Sequence, residues 1–280
     1  MHCGYAAKLH TRNATGYDFM PNILIQIKDL TVDYPGKVRA LDNVSLDVEA
    51  GQITSLVGES GSGKSTVAAA IMGLLAQGCS AQGRIFFDGT DIRGRSERDL
   101  RRIRGSRISL ITQNPGAYFN PVLSLGYQFE ETLAVRAGIK DRRLRQETIF
   151  RTLGSVRLDH AKRLLKSYPH QASGGELQRL AIAMALALKP RVLIADEPTS
   201  SLDVVSESRI INLLAGLQKD LGLTIIFITH NLDLLNVMVS KVVVLRGGRI
   251  VEESDSRRLL DNPRQDYSRE LVKAYRFMRV

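Results

Sequence analysis

Gly58-Glu59-Ser60-Gly61-Ser62-Gly63-Lys64-Ser65-Thr66 is the stretch on which the reading of this chain turns. It fits the spacing G-x-x-x-x-G-K-[ST], with the apolar run Ile53 to Val57 before it and a helical run, Val67 to Leu75, after it. Strand, glycine-rich turn and helix together make an anion site. The glycines let successive N–H groups point inward at a helix N-terminus, whose partial charge is positive. Gly58, Ser60, Gly61, Ser62, Gly63, Lys64, Ser65 and Thr66 are therefore the candidate nucleotide-binding residues. Lys64 is expected at the β- and γ-phosphates and the Ser65 hydroxyl on Mg²⁺. The bland alternative, a glycine-rich βα turn without a ligand, does not account for Lys-Ser at this spacing. The loop by itself does not say what the nucleotide is used for.

Working outward, Ile23 to Tyr34 and Val44 to Val48 alternate apolar and polar residues as strands do, and Arg84 to Asp88 reads as a further strand closed by Asp88-Gly89. This opening predicts an antiparallel flap merging into a nucleotide-binding sheet. Ile108 to Ile111 reads as a buried strand leading to Gln113, followed by a proline-bearing connector (Asn114-Pro115, Asn120-Pro121). Helical patterns over 126–137, 141–156 and 159–166 then form one block, which predicts an inserted helical subdomain. After Ser173-Gly174-Gly175, a helix carries Leu177, Leu180, Met184 and Leu188 on one stripe. Strand 192–195, helix 204–221, strand 223–229, helix 231–238 and strand 241–245 follow, the alternation of a parallel α/β sheet. The tail, 256–280, predicts two short helices broken at Pro263. Residues 1–21 show no clear period and read as a loosely ordered leader, with Met20 as an alternative start.

Composition sets limits. Among 280 residues, 44% are hydrophobic, enough for a sizeable core, and the formal net charge of +10 invites nucleic acid or anionic lipid as partners as readily as plain solubility. Seven arginines against three acids lie between Asp91 and Arg107, a pattern of a solvated helix face or of contact with an acidic partner. The two cysteines, Cys3 and Cys79, have no metal-ligand spacing and no disulfide framework, which fits a reducing compartment. The longest apolar run, Leu180 to Leu188, is nine residues, against the roughly 20 a bilayer span needs. No signal-peptide pattern is visible.

Asp196 closes an apolar strand, so it falls at the strand end where α/β sheets place ligands, a position from which a carboxylate can hold Mg²⁺ opposite Ser65. Glu197 beside it is a candidate to polarise an attacking water. His230 follows the strand that would lie next to the Asp196 strand, and Gln113 ends a third one. No one of these residues persuades alone; four polar groups at one sheet edge make a site.

The order Tyr34, Gly58–Thr66, Gln113, Ser173-Gly174-Gly175, Asp196-Glu197, Ser201-Leu202-Asp203 and His230 resembles the ATP-binding subunit of an ABC transporter, from about residue 23 to 254. The resemblance implies the P-loop NTPase fold of that family: a parallel-sheet core, an antiparallel β subdomain and an inserted α-helical subdomain at about 114–189. It implies a leader over 1–22, the ATPase domain over 23–254 and a helical extension over 255–280. It implies ATP and Mg²⁺ as cofactors, with Ser65, Gln113 and Asp196 on the metal. Glu197, His230, Gln113 and Lys64 would serve catalysis, and Tyr34 would stack on adenine. Ser173, Gly174, Gly175, Glu176 and Asp203 would act on the ATP of a second subunit packed head to tail. The signature is Ala172-Ser173-Gly174-Gly175-Glu176, where the family usually has Leu-Ser-Gly-Gly-Gln. Glu176 places an acid near the partner's phosphate and is expected to weaken that site.

A narrower similarity, in Gln113-Asn114-Pro115, Phe119-Asn120-Pro121, Gly126 to Glu130 and the tail Asp261-Asn262-Pro263 with Asp266-Tyr267-Ser268, is to the peptide/nickel importer family. The longer peptide-importing members continue into a cysteine-bearing tail; this chain has no cysteine after Cys79. The similarity implies a second, homologous ATPase subunit, two membrane permease subunits and an extracytoplasmic binding protein. The expected location is peripheral, on the cytoplasmic face of the cell membrane, and the expected cargo a short peptide, nickel or a metal–chelator complex. The alternatives are an exporter's ATPase, a soluble ATPase of this type acting on nucleic acid, and a regulatory subunit that binds ATP without hydrolysing it. Long coiled-coil or zinc insertions are absent, so no nucleic acid is expected.

Overall fold

The computed structural model describes residues 22–158, 160–232, 235 and 239–277, so the expected leader and most of the helix expected over 231–238 lie outside the described residues. An antiparallel sheet is built from β1 (Ile23–Tyr34), β2 (Val38–Glu49), β4 (Ser80–Phe87) and β5 (Thr90–Asp91), in the order β2-β1-β4-β5. A second sheet contains β3 (Ile53–Val57), β6 (Ile108–Ile111), β7 (Val192–Asp196), β8 (Thr224–Thr229), β9 (Lys241–Arg246) and β10 (Arg249–Ser254), in the order β10-β9-β3-β8-β7-β6. From β9 to β6 every pairing is parallel; β10 runs antiparallel to β9.

Every residue of β3 and β8 is buried, because this sheet is covered on both faces, and that is why its strands read as unbroken apolar runs. Successive side chains point to opposite faces. Leu56, Ile194, Ile226, Ile228 and Val243 pack with α1 (Lys64–Met72) and the antiparallel sheet. Val57, Leu193, Ile225, Phe227 and Val242 pack with the helices on the other face. Those helices include α3 (Leu125–Val135), α4 (Arg142–Ser155), α5 (Ala161–Lys166) and α6 (Gly174–Ala187), which lie between β6 and β7 in the chain, and α7 (Val204–Leu221) after β7. Ser124, Asp141, Ser173 and Asp203 cap the N-termini of α3, α4, α6 and α7, each accepting a hydrogen bond from a first-turn N–H.

Several elements differ in extent from expectation. β2 and β4 begin earlier than Val44 and Arg84, since pairing with β1 continues through less apolar residues at the sheet's exposed end. In α6 the buried set is wider than one stripe. Leu177, Leu180, Ile182, Ala183, Leu186 and Ala187 are buried while Met184 is only half-buried, because the helix packs on α4 and on β6 at once. Strand β10 is not apparent in the apolar pattern. Its signal is Gly247-Gly248, whose φ values of +52° and +78° make the two-residue hairpin turn from β9.

Part of the arginine run is structural. On α2 (Glu97–Ile103), Arg101 pairs with Glu97 and Arg102 lies 3.9 Å from Asp99. Arg104 pairs with Glu97 and also donates to the carbonyls of Met72 and Gly73 at 2.7 Å, capping the C-terminus of α1 with a cation. Past β10, α8 (Ser256–Asp261) and α9 (Asp266–Phe277) flank Pro263.

Candidate nucleotide site

Parallel strands bring their C-terminal ends to one edge, where open α/β sheets carry their ligands. At this edge β3 runs into the Gly58–Thr66 loop, β7 ends on Asp196, β8 ends one residue before His230, and β6 ends two residues before Gln113. Sequence order scatters these groups; the parallel pairing collects them.

The loop is closely braced. Gly58 has φ +150°, and a Cβ there would lie 2.2 Å from the Leu245 carbonyl oxygen at the end of β9, so only glycine fits. The Ser62 carbonyl accepts from the Gly248 N–H at 3.1 Å. Lys64, the first residue of α1, is only 5% exposed. Its ammonium donates to the carbonyls of Gly58 (2.8 Å) and Glu59 (2.7 Å) and lies 3.4 Å from Ser62 Oγ. Burial pulls the Lys64 pKa below its ordinary value, and the charges of Glu197, Asp196 and Glu59 work the other way.

Ser65 Oγ donates to Asp196 Oδ1 at 3.1 Å, joining loop and strand end. Burial raises the Asp196 pKa, with Glu197 adding to the rise; the Ser65 hydroxyl and Lys64 counter it. The Ser65 hydroxyl and the Asp196 carboxylate are hard oxygen donors in direct contact. Such a set suits Mg²⁺ held jointly with nucleotide phosphates.

Glu197 sits in the left-handed region at φ +48°. This conformation costs a non-glycine residue about 1–2 kcal/mol, and it is held by Glu197 N–H donating to the Ile228 carbonyl (3.0 Å) while the Glu197 carbonyl accepts from Ser200. The outcome is a carboxylate 3.3 Å from His230 Nδ1. Glu197, Thr199, Ser200, Leu202, Glu207, Thr229, His230 and Asn231 line a cleft of about 180 Å³. A carboxylate and an imidazole side by side in a small polar cleft can orient a water and a phosphate oxygen between them.

Gln113 is exposed, and its carbonyl accepts from Ser201 Oγ at 3.2 Å, which ties the β6 exit to the Ser200–Asp203 turn. The Tyr118 hydroxyl accepts the Thr112 N–H and fixes the same exit. Ser173 caps α6; a Cβ on Gly174 would lie 3.3 Å from Leu202 Cδ2, and one on Gly175 3.4 Å from Ser206 Oγ. Asp203 is the α7 N-cap, and the Ser206 N–H holds its carboxyl below the ordinary range. The first turns of α6 and α7 thus form one surface.

Glu176 does not stand as the bare acid that its place in the signature predicts. It closes a capping box with Ser173, accepting from Ser173 N–H at 2.9 Å, and it is ion-paired with Arg163 of α5. Partial burial would raise its pKa, yet the Ser173 backbone N–H, the Ser173 hydroxyl and Arg163 together hold its carboxyl below the usual range. Arg163 is a residue that sequence reasoning missed, because nothing in a 13-residue separation marks the pair. Tyr34 is the last residue of β1 and lines a groove with Asp33, Lys37, Arg39, Gly78 and Ser80.

Residues 41–200 match the family model described as "ABC transporter". The chain belongs to the ABC transporter family. It is an ATPase cassette of that family, and its relatives cover nearly all of it. The oligopeptide transport ATP-binding protein OppD of Salmonella typhimurium (strain LT2) is 38% identical over 256 residues, 90% of this chain and 76% of that protein. The metal-staphylopine import system ATP-binding protein CntD of Staphylococcus aureus (strain NCTC 8325) is 34% identical over 89% of this chain and 92% of its own length. Among solved structures, cbiO1 of Clostridium perfringens superposes with a TM-score of 0.77 at 26% identity, covering 92% of this chain and 100% of that one. The ATP-binding cassette MJ0796, a dimer in a post-hydrolysis state with ADP and Pi, gives a TM-score of 0.73 at 28% identity, over 83% of this chain and 99% of that one.

Proposed function

We propose that this cassette energises import of a short peptide, nickel or a metal–chelator complex through separate permease subunits. The observation that carries the reading is the meeting of the Ser65–Asp196 and Glu197–His230 pairs at the edge that bears the phosphate loop. The direction and class of cargo are supported by relatives named for oligopeptide, dipeptide and metal-staphylopine transport.

In this reading the loop N–H groups and Lys64 bind the β- and γ-phosphates, and Tyr34 stacks on the adenine. Ser65, Asp196 and Gln113 hold Mg²⁺, which when bound offsets phosphoryl charge. Glu197 accepts a hydrogen bond from the attacking water and aims it at the γ-phosphorus, while His230 donates to a γ-phosphate oxygen. As the water oxygen bonds to the γ-phosphorus, the bond from that phosphorus to the β-phosphate oxygen breaks, giving inorganic phosphate and ADP. Ser173, Gly174, Gly175, Glu176 and Asp203 face the ATP of a second, homologous subunit, so closure depends on nucleotide at the shared interface and reverses on phosphate loss. Residues 23–254 act as the ATPase domain, the helices within about 114–189 as the arm that meets the permeases, and 255–280 as an extension. No helix among the described residues is long and apolar enough to cross a membrane. In this reading the chain works peripherally, on the cytoplasmic face, with two permeases and an extracytoplasmic binding protein, as relatives named as ATP-binding proteins of transport systems suggest.

Uptake assays in a strain deleted for this gene, using labelled di- and oligopeptides, nickel and a nickel–chelator complex, test the reading. Loss of one of these uptakes, restored by the wild-type gene and not by Glu197→Gln, is expected. Unchanged uptake of all of them, with efflux lost instead, would overturn it in favour of export.

A further inference from the structure

The tail reaches the phosphate loop. The Glu59 N–H, in the second residue of the loop, donates to the hydroxyl of Tyr267 on α9 at 3.2 Å, across a separation of 208 residues. The carbonyl of the same residue accepts from Lys64 Nζ at 2.7 Å and from the Ser62 N–H at 3.2 Å. Glu59 is thus held from outside by the tail and from inside by the lysine.

Three further contacts fix the hydroxyl in place. The buried Glu252 carboxylate on β10, 6% exposed, accepts the N–H groups of Arg264 (3.0 Å) and Gln265 (3.0 Å) just ahead of α9. The Arg246 guanidinium lies 4.5 Å from the centroid of the Tyr267 ring, a cation–π contact. Arg246 directly follows Leu245, whose carbonyl is what forbids a side chain at Gly58. One short segment of β9 therefore sets both the first glycine of the loop and the ring whose hydroxyl holds the second residue.

We propose that Tyr267 is a positioning residue for ATP: its hydroxyl pre-orders the entry arm of the phosphate loop, lowering the ordering cost that nucleotide binding would otherwise carry. The inference rests on the nucleotide reading of the loop. Tyr267→Phe keeps the ring and its stacking on Arg246 and removes only the acceptor. In the full-length chain it is expected to raise the ATP dissociation constant and KM by about two- to tenfold, the range of one net hydrogen bond. The turnover number is expected to stay as in the wild type, and the nucleotide-free melting temperature to move little, because the loop released from the hydroxyl regains the conformational entropy that its ordering cost.

Equilibrium binding of a fluorescent ATP analogue, confirmed by competition with ATP, is measured for the wild type, Tyr267→Phe and Lys64→Ala. Weakened binding in Tyr267→Phe with a melting temperature that moves little supports the proposal. Unchanged binding in Tyr267→Phe, with binding lost in Lys64→Ala, overturns it and leaves the loop reading intact. Weaker binding that comes with a matching loss of nucleotide-free stability also overturns it, since the tyrosine is then only packing. Wild-type binding in Lys64→Ala would sink the nucleotide reading itself.

Discussion

Glu197 Oε1 lies 3.3 Å from His230 Nδ1, although the two residues follow different strands. The contact exists because β7 and β8 are parallel neighbours, with Asp196 opposite Ile228, and because Glu197 leaves the strand through a left-handed turn. Glu197→Gln keeps the shape, removes the negative charge and turns one of the two acceptor oxygens into an amide donor. It is expected to bind ATP normally and to lose about 10²–10³ in turnover, the typical cost of deleting one aimed polar group at a reaction centre. Single-turnover hydrolysis with the partner ATPase present checks this; turnover near wild type would refute the role given to Glu197.

The Ser65–Asp196 hydrogen bond predicts a metal phenotype. Ser65→Ala removes a hydroxyl donor to the carboxylate and the ligand position proposed for Mg²⁺, while the loop glycines and Lys64 remain. About tenfold more Mg²⁺ should be needed for half-maximal hydrolysis, in line with the 10–100-fold cost of losing metal-site partners. ATP binding measured without metal should change little. A Mg²⁺ titration at saturating ATP tells the two apart.

The chain announces the chemistry better than it announces its supports. Gly58–Thr66, Asp196-Glu197 and His230 each sit where an apolar strand stops, so alternation of strands and helices is enough to put them on one edge. The helical block and both tail helices follow from periodicity and from Pro263. What stays hidden is long-range pairing between polar groups. Arg163 with Glu176, Arg104 on the carbonyls of Met72 and Gly73, and Tyr267 on Glu59 join residues with no shared period. β10 hid for a different reason: Arg249, Glu252 and Glu253 break its apolar alternation, and only Gly247-Gly248 betrays the hairpin.

Arg163 and Glu176 form a compensating pair beside the signature serine. Arg163→Ala leaves the acid unpaired on the surface proposed to meet the partner's ATP, and it is expected to lower ATPase activity of the assembled transporter severalfold. Glu176→Gln keeps the capping box, since glutamine serves there as glutamate does, and should leave activity near wild type. The double variant should recover most of what Arg163→Ala loses, a coupling that a double-mutant cycle measures. Additive losses would show that Arg163 acts independently of Glu176.

Glu252 is the acid-sensitive anchor of the tail. Burial works to raise its pKa, but the N–H groups of Arg264 and Gln265 and the Arg264 charge prevail and hold it below its ordinary value of 4.5. A carboxylate whose folded pKa is depressed contributes stability that is fully present above the unfolded pKa and is lost as pH falls through the folded one. The wild type should therefore lose this contribution on acidification below about 4.5. Glu252→Gln can accept one N–H and turns an amide donor toward the other, so it is expected to cost about 1–3 kcal/mol at neutral pH. The gap between the two proteins should narrow as pH drops through the depressed pKa, because the protonated wild type then resembles the amide. Urea unfolding at stepped pH gives the curve, and a gap that stays constant or widens in acid would show that the charge on Glu252 does not anchor α9.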